Sequence, residues 1–266
     1  MKLCSPLLIS LAALLSLVKP VLAEPVAPPA DAKKFEIYLL VGQSNMAGRG
    51  QPGKEDKQAS PNILVLNKNN EWVSQGDPIH FDKGSAGVGP GMPFARLMAE
   101  AHPDVVIGLI PCAVGGTPIS RWQPKQDLFE AAVARAQIAM KAGTLKGILW
   151  HQGESECGDE AKAKAYGKDL SEVVKGFRTA LNAPNVPFVA GELGEYLYTR
   201  TGNKSPFAKE VNEQIGGLPK HVPNTAVATS EGLGHKGDEL HFSTDAQHEL
   251  GKRYFEQMEK LTAAKK

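Results

Sequence analysis

Apolar residues along this chain follow two alternating patterns. The first is a set of short, nearly continuous runs at 35–41 (FEIYLLV), 62–66 (NILVL), 105–110 (VVIGLI), 146–150 (KGILW), 186–190 (VPFVA) and 225–229 (TAVAT). Runs of this length predict strands, and the unbroken VVIGLI predicts one buried on both faces. The second is a spacing of three and four at 93–100, 128–141, 160–181, 206–215 and 245–261, which predicts amphipathic helices. Pro93 suits a first helical position, and Thr244 is placed to cap the last helix. Strands alternating with helices predict an α/β fold, a mostly parallel central sheet with helices on both faces. No repeat or internal linker divides it, so 34–262 reads as one domain.

The ends differ from this middle. Lys2 precedes a twelve-residue stretch at 7–18 that only Ser10 and Ser16 interrupt, and Val21-Leu22-Ala23 precedes Glu24. That is the pattern of a cleavable export signal over 1–23. The stretch is too short for a stable membrane anchor, which needs ~20 apolar residues. Residues 24–33 (EPVAPPADAK) predict a flexible leader, and 263–266 a short tail. An export signal predicts a secreted or periplasmic protein.

Composition narrows the chemistry. The 266 residues are 42% hydrophobic and 22% charged, with net charge +1. Removing 1–23 takes away Lys2 and Lys19 and no acid, leaving 28 basic against 29 acidic residues. No polybasic run is present, which argues against a nucleic-acid partner. Three cysteines exclude a disulfide-dense scaffold, and no CxxC or HExxH suggests a metal site. His235, Asp238, His241 and His248 lie close together, but their spacing suits a turn better than a ligating helix face.

Four segments concentrate reactive residue types at places where strands end or the last helix begins: 42–46 (GQSNM), 111–117 (PCAVGGT), 151–155 (HQGES) and 238–243 (DELHFS). In open α/β sheets the C-terminal strand ends are where sites form. Acyl transfer needs a serine whose proton a histidine removes, with a third group holding the imidazole. Ser44 follows the first strand. Asp238, three residues before His241, can fold back onto Nδ1 and leave Nε2 for Ser44. A tetrahedral oxyanion needs preorganised donors, and the N–H groups of Ser44 and Gly115 with the Gln152 amide provide three; Gly116 is an alternative to Gly115. Asn45 is read as bracing the first segment and Glu154 as a buried support of the Gln152 loop.

The four segments in this order resemble the SGNH (GDSL-type) hydrolase superfamily. They are most similar to its carbohydrate acetylesterase branch, with sialate O-acetylesterases and family-six acetylxylan esterases, in which GQSNM and an HQGE-type segment stand for the first and third blocks. The resemblance runs from about 35 to 260. It implies a flavodoxin-like α/β/α fold, a metal-free mechanism without cofactor, and acetylated carbohydrate as substrate. It also implies Ser44 as nucleophile, His241 as base, Asp238 as its orienter, and Ser44, Gly115 and Gln152 as oxyanion donors.

Several readings stay open at this level. Arg121 and Trp122 are either sugar contacts or an ion pair and a core anchor. His151 is structural or faces substrate. Cys112 and Cys157 form a disulfide bracing the second and third segments, or remain two buried thiols. The glycine-rich 84–91 reads as a mobile loop or a plain connection. A non-catalytic sugar-binding domain, a lipid or thioester hydrolase, and a metallohydrolase are the competing functions.

Overall fold

A computed structural model of the protein describes residues 23–263; all of the expected export signal but Ala23 lies outside the described residues. The strand predicted at 35–41 becomes β1 (Phe35–Gly42), the centre of a seven-stranded sheet. β2 (Ile63–Leu66), β3 (Trp72–Val73), β4 (Val106–Pro111), β5 (Thr144–His151), β6 (Phe188–Gly191) and β7 (Thr225–Ala228) complete it in the order β3-β2-β4-β1-β5-β6-β7. All neighbours are parallel except β3, which runs antiparallel to β2.

β1 shows why two helical layers are needed. Successive strand side chains point to opposite faces. Phe35, Ile37, Leu39 and Val41 join one buried cluster, with residues of α3 (Asp127–Ala139), α4 (Glu160–Ala180) and α5 (Ala208–His221). Tyr38 and Leu40 join another, with α2 (Gly91–Ala101) and α6 (Thr244–Ala263). The predicted three-layer α/β/α architecture is the observed one. Among the described residues, no helix is long and apolar enough to cross a membrane.

The departures from expectation are local. β3 is two residues long, and α1 (Ser44–Ala47) is a single turn; neither is long enough to show a period. α5 continues to His221, past the predicted end at 215, and carries Pro219 in its last turns. The expected flexible leader is partly held: the Val26 N–H donates to Trp72 O at 2.7 Å and Pro25 bridges Val73, so the segment covers the open edge of β3. The 84–91 segment is likewise paired near its middle, where Val88 exchanges backbone hydrogen bonds with Gly50.

One glycine fixes where β1 hands over to α1. Gly42 sits at φ +128°, and a Cβ there would lie 2.1 Å from His151 O. Gly42 and His151 are register partners, so β1 and β5 approach more closely here than a side chain permits. Gly42→Ala combines an unfavourable φ with a backbone clash, and should cost about 3 kcal/mol or more in urea unfolding. A wild-type midpoint would contradict this account of the turn.

Candidate active site

β1, β4 and β5 are neighbours, so the loops after them meet over the centre of the sheet. Ser44 opens α1 directly after β1 and is 6% exposed. His241 reaches it from the loop before α6, with Nε2 3.1 Å from Ser44 Oγ. On the other side of the ring, Nδ1 lies 2.7 Å from Asp238 Oδ2. Asp238 Oδ1 also accepts the backbone N–H of His241 at 2.8 Å and of Leu240 at 3.0 Å. The aspartate therefore folds its own turn and orients the ring at once. Glu239, at φ +54°, anchors the same turn by accepting from Thr201 N–H and Oγ–H at 3.0 and 2.8 Å.

Electrostatics suit a neutral imidazole beside an ionised carboxylate. Burial pushes the Asp238 pKa up, but the hydrogen bonds from His241 and Leu240 outweigh it and hold the carboxyl at about 2. Burial lowers the His241 pKa below its ordinary value, against the raising influence of Asp238.

Asn45, next to the serine, links it to the histidine loop. Its Nδ2 donates to Leu240 O at 3.2 Å, and its Oδ1 accepts from Phe242 N–H at 3.2 Å. These are the residues on either side of His241. Beneath it, Glu154 Oε1 accepts from Asn45 Nδ2 at 2.5 Å, and Gln247 donates to Asn45 O at 3.1 Å. Burial raises the Glu154 carboxyl to about 7. Glu154 is buried and hydrogen-bonded as expected, and ties the Gln152 loop to Asn45; the Gln152 amide itself is held by Glu156, whose carboxylate accepts from Gln152 Nε2 at 2.6 Å and from Ile119 N–H at 2.8 Å.

The expected oxyanion donors are placed unequally. Ser44 N–H, at the start of α1, donates to no group among the described residues. Gly115 lies beside Ser44, since a Cβ on it would be 3.3 Å from Ser44 Cβ, but its N–H donates to Asp82 Oδ2 at 2.9 Å. Gln152 is fully buried and its Nε2 is committed to three acceptors: Glu156, Thr117 O at 3.1 Å and Gln43 Oε1 at 3.2 Å. Its amide is a brace between loops in this arrangement, not a donor left open for substrate. Sequence reasoning missed Asp82 and its partner Arg49, a buried ion pair at 2.7 Å that joins the first segment to Gly115. Neither lies in a periodic element. The only signal was a charged residue in each of two glycine-rich loops.

Other expectations divide cleanly. Trp122 is fully buried, donates to Thr117 Oγ1 at 3.1 Å and packs edge-on against Trp150; it is a core anchor, and stacking on a sugar is excluded by its burial. Arg121 is exposed and paired with Asp127. His151 is fully buried with Nδ1 3.2 Å from Tyr254 Oη, so it does not face substrate. Of the two alternatives for Cys112 and Cys157, the structure has the free thiols, and the Cys157 thiol donates to Gly153 O at 3.3 Å. Among the described residues, no three His, Cys, Asp or Glu side chains gather as metal ligands.

Comparison with known proteins gives the same direction. Residues 34–260 match the carbohydrate esterase family described as sialic acid-specific acetylesterase. A probable carbohydrate esterase from Arabidopsis thaliana, At4g34215, is 34% identical over 253 residues, covering 88% of this chain and 91% of the relative. The crystal structure of that Arabidopsis protein superposes with a TM-score of 0.77 at 32% identity, over 85% of this chain and 98% of the other. The crystal structure of NanS shares the fold at a TM-score of 0.70 and 17% identity, over 90% and 99% of the two chains. With a family match across nearly the whole described chain, this protein belongs to the sialic acid-specific acetylesterase family of carbohydrate esterases and is a carboxylic ester hydrolase.

Proposed function

We propose that the protein is an exported serine esterase that removes O-acetyl groups from carbohydrate, with Ser44, His241 and Asp238 as its catalytic triad. The observation that carries this reading is the unbroken chain from Asp238 Oδ2 through the His241 ring to Ser44 Oγ, with steps of 2.7 and 3.1 Å. Export rests on the pattern of 1–23.

In this reading His241 Nε2 takes the Ser44 proton as Oγ attacks the acetyl carbonyl. The carbonyl electrons move onto oxygen, which meets the free N–H of Ser44 at the head of α1. Gly115 N–H can join only if the Asp82 carboxylate gives it up. The tetrahedral intermediate collapses by expelling the sugar oxygen, which takes the proton from Nε2. Water then attacks the acetyl-enzyme with His241 again as base, and acetate leaves. Asp238 stays ionised throughout and stabilises the imidazolium. Asn45 acts on the geometry: it fixes the backbone on both sides of His241 relative to the serine beside it.

Three outcomes are expected. Acetate release from O-acetylated sialic acid or acetylated xylan should vanish in Ser44→Ala. Release that persisted in that variant would remove Ser44 from the mechanism. The kcat/KM profile should fall on the acid side with a midpoint below the ordinary histidine value of ~6.5, because the base must be neutral and burial lowers its pKa. A midpoint above that value would point to another base. Asn45→Ala should lower kcat by about 10²-fold with KM nearly unchanged, the cost of a misplaced base; an unchanged kcat would make Asn45 merely structural.

A further inference from the structure

Behind the Gly115 loop is a small cavity of about 150 Å³, between the loop carrying His80 and Asp82 and the face of α3 carrying Leu128, Ala131 and Arg135. Its lining residues hold an unusual share of the protein's unpaired polar atoms. Both ring nitrogens of His80, Asp82 Oδ1 and Arg135 Nε are buried without a hydrogen-bond partner, four of the nine such side-chain atoms found among the described residues. Buried polar atoms are normally paired, and leaving them bare is costly. Their concentration around one hollow marks a place that an occupant completes.

The lining defines that occupant's chemistry. Asp82 is neutralised by Arg49. Arg135 has no carboxylate partner; its Nη groups donate to Leu66 O, Asn67 O and Asn70 Oδ1, its guanidinium lies over the Phe81 ring and beside the Cys112 thiol, and its Nε makes no hydrogen bond. Burial drives the His80 pKa down to about 3, so the ring is neutral and carries one N–H donor and one acceptor. The hollow therefore offers one uncompensated positive charge, two donors and an apolar wall that includes Leu128 and Ala132. A carboxylate head with a methyl-sized tail matches that set, and the volume leaves room for a water that can donate to Asp82 Oδ1.

We propose that this cavity is a binding site for a short-chain carboxylate, acetate in particular, formed by His80 and Arg135 and separate from Ser44. The choice of acetate as natural occupant rests on the proposed esterase reading, in which acetate is the product. The site itself does not. It lies one side chain from the active centre, because the other Asp82 oxygen accepts the Gly115 N–H.

The test is a titration of the Ser44→Ala protein with ¹³C-labelled acetate, read by NMR, with turnover of acetylated substrate by the wild type measured separately. One saturable site of about millimolar affinity is expected, the strength reasonable for so small a ligand. His80→Phe, which removes both nitrogens, and Ala131→Leu, which fills the mouth of the cavity, should each weaken binding at least tenfold. If His80→Phe fails to fold, Ala131→Leu decides alone, since Ala131 is exposed. Methylammonium, of similar size but opposite charge, should not compete. Absence of saturable binding, or binding that survives both substitutions, would overturn the proposal. Acetate binding without esterase turnover would sink the functional reading and leave the site standing.

Discussion

The site depends on Asn45. Ser44 and His241 are 197 positions apart in sequence and arrive on different elements, one at the end of β1 and the other in a loop before α6. A hydrogen bond between two such side chains is short-lived unless the backbones that carry them are locked together. Asn45 supplies that lock with one amide, accepting from Phe242 and donating to Leu240, while its own backbone carbonyl is held by Gln247. Ser44 and His241 are thus positioned by the residue that follows the serine. A side chain that both donates and accepts is required, which an alanine or a carboxylate at this position does not provide.

Around that lock the protein buries more charge than a structural core needs. Glu154 and Glu156 lie beneath the site, and Arg49 pairs with Asp82 at 1–6% side-chain exposure beside Gly115. Burying ionisable groups is expensive unless each is hydrogen-bonded. Here the expense secures loop geometry. Glu156 ties the loop after β5 to the segment at Ile119, and Asp82 ties the loop after β4 to the first segment through Arg49. Three loops that share no secondary structure become one surface, and the apolar sheet below sets only their starting points.

Much of this was legible in the sequence, for physical reasons that differ by element. VVIGLI and FEIYLLV read as strands, and VVIGLI as one buried on both faces, because two helical layers demand apolar residues on both sides of the sheet. The meeting of Asp238, His241 and Ser44 was legible because one follows the first strand and the other two share a turn before the last helix, and their side chains lie within hydrogen-bond reach. Gln152 has a residue type that fits an oxyanion role, yet its hydrogens are held by Glu156, Thr117 and Gln43, contacts decided by packing that no motif announces. Trp122 and His151 were ambiguous because an aromatic near a site looks the same in sequence whether it faces sugar or core. Asp82 and Arg49 had no period or motif to announce them, since their pairing is a contact between two irregular loops. Membership in the sialic acid-specific acetylesterase family fixes the reaction class, while the assignment of roles to Ser44, His241 and Asp238 rests on the geometry above.

In the proposed reaction Ser44 carries the acetyl group between substrate and water. Rapid acid quench during turnover of an aryl acetate, followed by peptide mass spectrometry, would trap that intermediate. A single acetyl adduct on Ser44 is expected, disappearing as substrate is exhausted. Steady turnover with no adduct on Ser44, or with the acetyl group on another side chain, would contradict it.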